Sequence, residues 1–152
     1  MIRDDLKTAL VSAMKSGDKA GTQTMRMISS AIKNRDIELR TASVLPDDDA
    51  MITDVLQKMI KQRRESVELY DKGGRAELAA IETAEIAVIK RFLPAQMSEE
   101  EAKTAIAALI AETGALSMKD MGRVMALVRE RHATSIEPSR ASALVKALLS
   151  DA

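Results

Sequence analysis

Apolar residues recur at steps of three and four along almost the whole of this chain, and no segment sustains a two-residue alternation. A helix turns every 3.6 residues and a strand every two, so this pattern predicts an all-α fold. The chain has one Tyr and one Phe, so its core must come from Leu, Ile, Val, Ala and the ten Met. Ala, Leu and Met rank near the top of the helix propensities, which agrees with the periodicity. A length of 152 residues suits one domain or two small ones.

The breaks divide the pattern. A first helix is predicted from about Asp4 to Ser16, stopped at Gly17, with Leu6, Leu10, Ala13 and Met14 on one face. A second, from about Asp18 to Thr41, carries Met25, Ile28, Ile32, Arg35 and Leu39 along one seam. The acidic run Asp47-Asp48-Asp49 after Pro46 suits the first turn of a third helix, where carboxylates complement the macrodipole. Its seam reads Ile52, Leu56, Met59, Arg63, Ser66 and Tyr70, with Asp54–Lys58, Lys61–Glu65 and Glu68–Lys72 as outer i,i+4 pairs. Gly73-Gly74 breaks it. A fourth helix follows from about Arg75 to Leu93, with Leu78, Ile81, Glu85, Ile89 and Phe92 on its seam, and Pro94 ends it.

The expected boundary lies at Pro94-Ala95-Gln96-Met97. It separates an N-terminal bundle of about four helices (1–94) from a small C-terminal three-helix bundle (95–152). The three later helices have clear starts: a capping box at Ser98 and Glu101, a weaker one at Ser117 and Asp120, and Pro138 at a first helical position.

Twenty-three basic and twenty-three acidic residues cancel, so no global field steers the chain towards nucleic acid. Cysteine is absent, which excludes disulfides and thiolate metal sites and agrees with a reducing compartment. No apolar run reaches the ~20 residues that span a bilayer, and the first residues do not resemble a secretion signal. These features make a cytoplasmic protein without membrane attachment the expectation.

Catalytic signatures are missing. The single histidine, His132, has two arginines nearby and no second histidine to complete a metal pair, and it reads as an exposed helix-end residue. Gly73-Gly74 lacks the spacing and the Lys-Ser/Thr of a phosphate loop, and no Gly-x-Ser-x-Gly elbow occurs. No cofactor, metal site or catalytic residue is assigned. Two other groups stand out. Arg35, Arg63 and Glu85 interrupt apolar seams on three helices, with Glu82 one turn from Glu85. Buried charge is costly unless paired, so these residues either neutralise one another or line a small polar pocket. Charge is also segregated. Ser98–Glu112 holds four acids against one base, whereas Thr113–Ser150 holds six bases, Lys119, Arg123, Arg129, Arg131, Arg140 and Lys146, against three acids. The basic group is either a phosphate-contacting surface or a solvated helical face.

The run from Lys61 to Gln96, KQRRESVELYDKGGRAELAAIETAEIAVIKRFLPAQ, together with Ser29–Asn34 upstream and Ser117–Gly122 downstream, resembles the YqeY-like proteins over nearly the whole chain. These are free-standing relatives of the tail of GatB, a subunit of the tRNA-dependent amidotransferase. The matching positions are Lys33-Asn34, Lys61-Gln62-Arg63, Gly73-Gly74-Arg75, Glu82, Glu85, Leu93-Pro94 and Lys119-Asp120-Met121-Gly122. The resemblance implies a helical module that contacts tRNA, with amidotransferase or other translation proteins as partners. It also carries the family's association with carbon–nitrogen ligase activity using glutamine as amide donor. Neither a GatB-like catalytic cradle nor an amidase-like Ser-Ser-Lys set is present, so the residues favour a binding module over an autonomous ligase. In similar proteins the segment after Met125 leads into a basic turn of the form Lys-Gly-Arg-Ala-Asp-Gly. Here Ala133-Thr134-Ser135-Ile136-Glu137-Pro138 occupies that stretch, without the glycines or the cations. The alternative is a protein-interaction module with no nucleic-acid role, docking through Arg35, Arg63, Tyr70 and Glu85.

Overall fold

The computed structural model describes residues 1–150, and every regular element among them is helical, in agreement with the periodicity. Seven α-helices follow in order: α1 Ile2–Ser16, α2 Lys19–Glu38, α3 Asp48–Lys72, α4 Ala76–Lys90, α5 Glu99–Thr113, α6 Met121–His132 and α7 Pro138–Ser150. Single 3-10 turns, Leu39–Thr41 and Met118–Asp120, extend α2 and precede α6. None of these helices is long and apolar enough to cross a membrane.

The chain divides into two compact units, Met1–Leu93 and Pro94–Ala152. In the first, α1 lies against α2 and α3, and α4 packs against α3 and α2. The first half of α3 is the centre: of residues 51–60 only Asp54 and Lys58 are not buried, and these two pair with each other at 3.2 Å. Ile28, Ile52, Leu56 and Ile89 are completely enclosed there. Gly17 (φ 75°) ends α1, and Gly74 (φ 70°) turns the α3–α4 hairpin, both in the left-handed region that a Cβ disfavours. In the second unit α5, α6 and α7 pack mutually around Ile106, Val124, Ile136, Ala141 and Val145, an aliphatic core without an aromatic ring.

Three sequence expectations shift. The second helix ends at Glu38, with Leu39–Thr41 as a tighter turn. The fourth stops at Lys90, leaving Phe92 and Leu93 in a turn packed on the core. Its buried side is Ala79, Ile86 and Ile89, while Ile81, placed on the seam by spacing, is 55% exposed. Leu78, Glu85, Ile89 and Phe92 of the expected seam are buried or half-buried, so only Ile81 departs from it and the stripe widens towards Ala79 and Ile86. The reason is compositional: AELAAIETAEIAVIK carries apolar residues nearly all round the helix, so spacing alone does not select a face.

A cluster of charges closes one end of this unit. Arg3, in the first turn of α1, opposes the helix macrodipole and is held instead by two aspartates. Its guanidinium donates to Asp36 Oδ1 and Oδ2 (both 3.0 Å) at the end of α2. It also donates to Asp48 Oδ1 and Oδ2 (2.6 and 3.1 Å) at the start of α3. The Ile2 amide donates to Asp49 Oδ1 at 3.0 Å. The Arg3 hydrogen bond holds the Asp48 carboxyl below the usual carboxylate range, and the aspartates raise the pKa of Arg3. A carboxylate lowered on folding stabilises the fold above its unfolded value of about 4, and the contribution is lost as pH falls through the folded value. Arg3→Met is expected to lower unfolding free energy at pH 7 by about 1 kcal/mol, the discounted worth of half-exposed pairs. In urea titrations the gap between the two proteins should close below about pH 4; a gap that stays constant with pH would exclude the ionic origin.

Candidate nucleic-acid interface and polar cluster

The residues that interrupt the apolar seams separate into two settings. Arg63 of α3 and Glu85 of α4 meet directly, Nε to Oε2 at 2.8 Å, with side chains only 13% and 20% exposed. The guanidinium also donates to the Met59 carbonyl at 3.2 Å, and its Nη2 lies 3.9 Å from the Met27 sulfur of α2. The pair therefore ties the α3–α4 hairpin together where α2 covers it. Arg35 does not join. It bonds Glu38 one turn along its own helix at 2.8 Å, on a more exposed surface. The expectation that Arg35, Arg63 and Glu85 converge is corrected: Arg63 and Glu85 bond each other, and Arg35, near the end of α2, bonds Glu38 on its own helix. Glu82 is half-buried on α4 and takes no part in the Arg63–Glu85 bond. Tyr70, one helical turn beyond Ser66, is half-buried.

The six C-terminal cations also do not form one face. Around α6 the buried stripe is Val124 and Val128. At 100° per residue Arg131 lies on that side, and Arg123 and Arg129 stand about 120° apart from each other. Arg131 is clamped by Glu112 of α5 through two bonds of 2.6 and 2.7 Å, which raises its pKa and lowers that of Glu112. Arg140 of α7 is half-buried and donates to the Met97 carbonyl at 3.0 Å, fixing the strand of chain that enters α5. Arg140 thus acts inside the fold, whereas the Arg131–Glu112 pair lies on the surface. Lys119, Arg129 and Lys146 are exposed, and Arg123 is exposed with one nitrogen on Asp120 at 3.1 Å. Asp120 is itself held low, first by the Leu116 amide that donates to it. His132 is half-buried at the end of α6, where its carbonyl accepts from the Ser135 and Ile136 amides.

The turn formed by Ala133-Thr134-Ser135-Ile136-Glu137-Pro138 has an internal role. Ile136 is enclosed in the aliphatic core, with 1% exposure. Around it the Met97 amide donates to the Ser135 carbonyl at 2.9 Å, and Gln96 Nε2 donates to the carbonyls of Thr134 and Pro94. No residue other than glycine has a positive φ among those described, so this turn needs no glycine. It plugs the unit and carries no cation outward.

Sequence reasoning missed Arg3, Asp36 and Asp48. The signal was available: a basic residue in a first helical turn opposes the dipole and needs acidic partners. Among the described residues no group of three His, Asp or Glu side chains is placed to hold a metal ion.

A family profile described as Yqey-like protein matches residues 3–149. Among curated proteins, the chain is similar to "Altered inheritance of mitochondria protein 41, mitochondrial" from three organisms. With the Eremothecium gossypii protein it shares 35% identity over 107 residues, 68% of this chain and 57% of the relative. The Lachancea thermotolerans protein is 34% identical over 89 residues, 59% of this chain and 46% of the relative. For a Saccharomyces cerevisiae protein the figures are 30% over 93 residues, 61% and 46%. The chain spans about half the length of the curated relatives it matches. Their names overturn the cytoplasmic expectation, because each is a mitochondrial protein. Lack of cysteine and of long apolar runs is common to reducing compartments and does not tell one from another.

The Arg63–Glu85 geometry makes a measurable claim. A double-mutant cycle with Arg63→Met and Glu85→Gln should give a coupling of about 1–2 kcal/mol by urea denaturation, as expected of directly bonded partners. Additive single-mutant effects would show that the contact contributes nothing of its own.

Proposed function

The chain belongs to the Yqey-like protein family, whose profile matches residues 3–149, and from that membership and its exposed cations we propose that it is a helical tRNA-contacting, amidotransferase-associated module. Residues 95–152 act as its three-helix, GatB-tail-like part and carry the RNA contact. The observation that carries this reading is the separation of the basic residues of the second unit. Arg140 is half-buried on the Met97 carbonyl and Arg131 is held by Glu112, while Lys119, Arg129 and Lys146 are exposed and Arg123 is exposed with one nitrogen on Asp120. Lysine and arginine held at a surface supply the salt-sensitive share of nucleic-acid affinity. No residue is assigned a catalytic role, and the family's ligase association is read as a partnership with an enzyme.

A second reading, a protein-interaction module without RNA, draws support from apolar side chains left open in the first unit. Leu69 and Ile81 are exposed on the two helices of the α3–α4 hairpin, and Val44 and Leu45 on the link between α2 and α3. Arg63 and Glu85 hold each other and are not free to dock a partner.

The deciding measurement is tRNA binding by the full chain across a salt series. Affinity should fall linearly on a log–log plot, and each of Lys119→Gln, Arg123→Gln, Arg129→Gln and Lys146→Gln should reduce the slope by about 1. Arg140→Gln should leave the slope unchanged, since that side chain is half-buried on the Met97 carbonyl. Undiminished binding by the fourfold variant would overturn the assignment of this surface. Recovery of one protein partner after nuclease treatment, with no tRNA binding, would favour the second reading.

A further inference from the structure

Within the proposed RNA contact, on which this inference rests, we infer that the second unit takes the backbone of duplex RNA and does not read bases. The argument starts from what the unit lacks. The two aromatic residues of the chain, Tyr70 and Phe92, both precede Pro94. Residues 94–152 therefore offer no Phe, Tyr or Trp ring on which an unpaired base can stack, and their one imidazole, His132, is half-buried at the end of α6; stacking is worth about 1–3 kcal/mol per base in single-strand binders. The same residues include no asparagine and one glutamine, Gln96. Its amide nitrogen is already engaged by the Pro94 and Thr134 carbonyls at 2.8 Å each. Amide side chains that pair with base edges are thus missing as well.

What remains is charge around an uncovered stretch of helix. Lys119 and Arg123 are four residues apart across the junction of the 3-10 turn and α6, and Arg129 is exposed further along the helix. Gly122 lies between the first two. It is exposed, and a Cβ built on it would meet nothing within 4 Å. Glycine in a helix costs about 1 kcal/mol relative to alanine, and no neighbour in the fold requires it here. The bare peptide allows a second backbone to come close, with cations on either side to meet its phosphates. A duplex presents such a surface in fixed geometry. A-form RNA hides its base edges in a deep major groove and is recognised by shape, phosphates and 2′-hydroxyls. A flexible single strand forfeits the fixed geometry and finds no stacking partner.

The test is fluorescence anisotropy on the full chain with two unrelated RNA duplexes of about 16 base pairs, and with their separated strands. Both duplexes should bind with equal affinity, each at least about tenfold tighter than either strand. Gly122→Gln should weaken duplex binding about threefold to tenfold, while its thermal melt, followed by circular dichroism, is unchanged or higher. Single strands binding as tightly as duplexes would overturn the inference and leave the tRNA reading standing. A duplex affinity that Gly122→Gln does not alter would overturn the docking at α6, and displacement by polyphosphate at equal phosphate concentration would reduce the surface to a generic polyanion site. Failure of tRNA, duplex and strand alike would remove both this inference and the function on which it rests.

Discussion

The first unit depends on enclosing residues 51–60 of α3 on nearly every side. Ile52 and Leu56 are fully enclosed, Met51, Met59 and Ile60 nearly so, and only the Asp54–Lys58 edge meets water. Each such side chain contributes about 1.5–3 kcal/mol when removed from water. Every other helix of the unit is positioned to supply part of that enclosure: α1 and α2 from one side, α4 as the returning arm of the hairpin. With no large aromatic core available, aliphatic close packing carries the fold, and Ala79 of α4 is small enough to let that helix approach.

Charge is used sparingly and where the apolar enclosure runs out. Arg63 and Glu85 sit beyond the last fully buried turn of α3, and their bond closes the hairpin where methylene packing thins. Arg3, Asp36 and Asp48 do the same at the opposite end of α3, joining the starts of α1 and α3 to the end of α2. One gap in this economy lies inside. The side chain of Gln57 is buried, and its amide nitrogen has no hydrogen-bond partner. In the second unit Arg140 is half-buried on the Met97 carbonyl, and Arg131 is tied across to Glu112 on the surface.

Much of this was legible residue by residue. Met25, Ile28 and Ile32 fall on the buried face that their spacing predicts, and Ser98 with Glu101 forms the capping box expected of that pair. The seam of α4 was not legible, because Ile81 and Ile86 are equivalent to any pattern drawn on an Ala-rich helix. Nor was the fate of Arg35, whose position on a seam resembles that of Arg63. What distinguishes them is the helix opposite: Arg63 faces a carboxylate on α4, and Arg35 finds only Glu38 on its own helix. The basic residues of the second unit were equally ambiguous as a list, since net charge does not say which cations already have partners.

The sequence by itself determined the helical class, most helix limits and the aliphatic nature of the core. Those properties follow from local propensity, capping and a period of 3.6, all of which act over a few neighbouring residues. Only the tertiary structure decided which side of α4 is buried, that Ile136 fills the core of the second unit, and which carboxylates Arg63 and Arg131 meet. Each of these depends on what another helix places opposite the residue. Such pairings span from 19 positions for Glu112–Arg131 to 45 for Arg3–Asp48, far beyond the reach of any local signal.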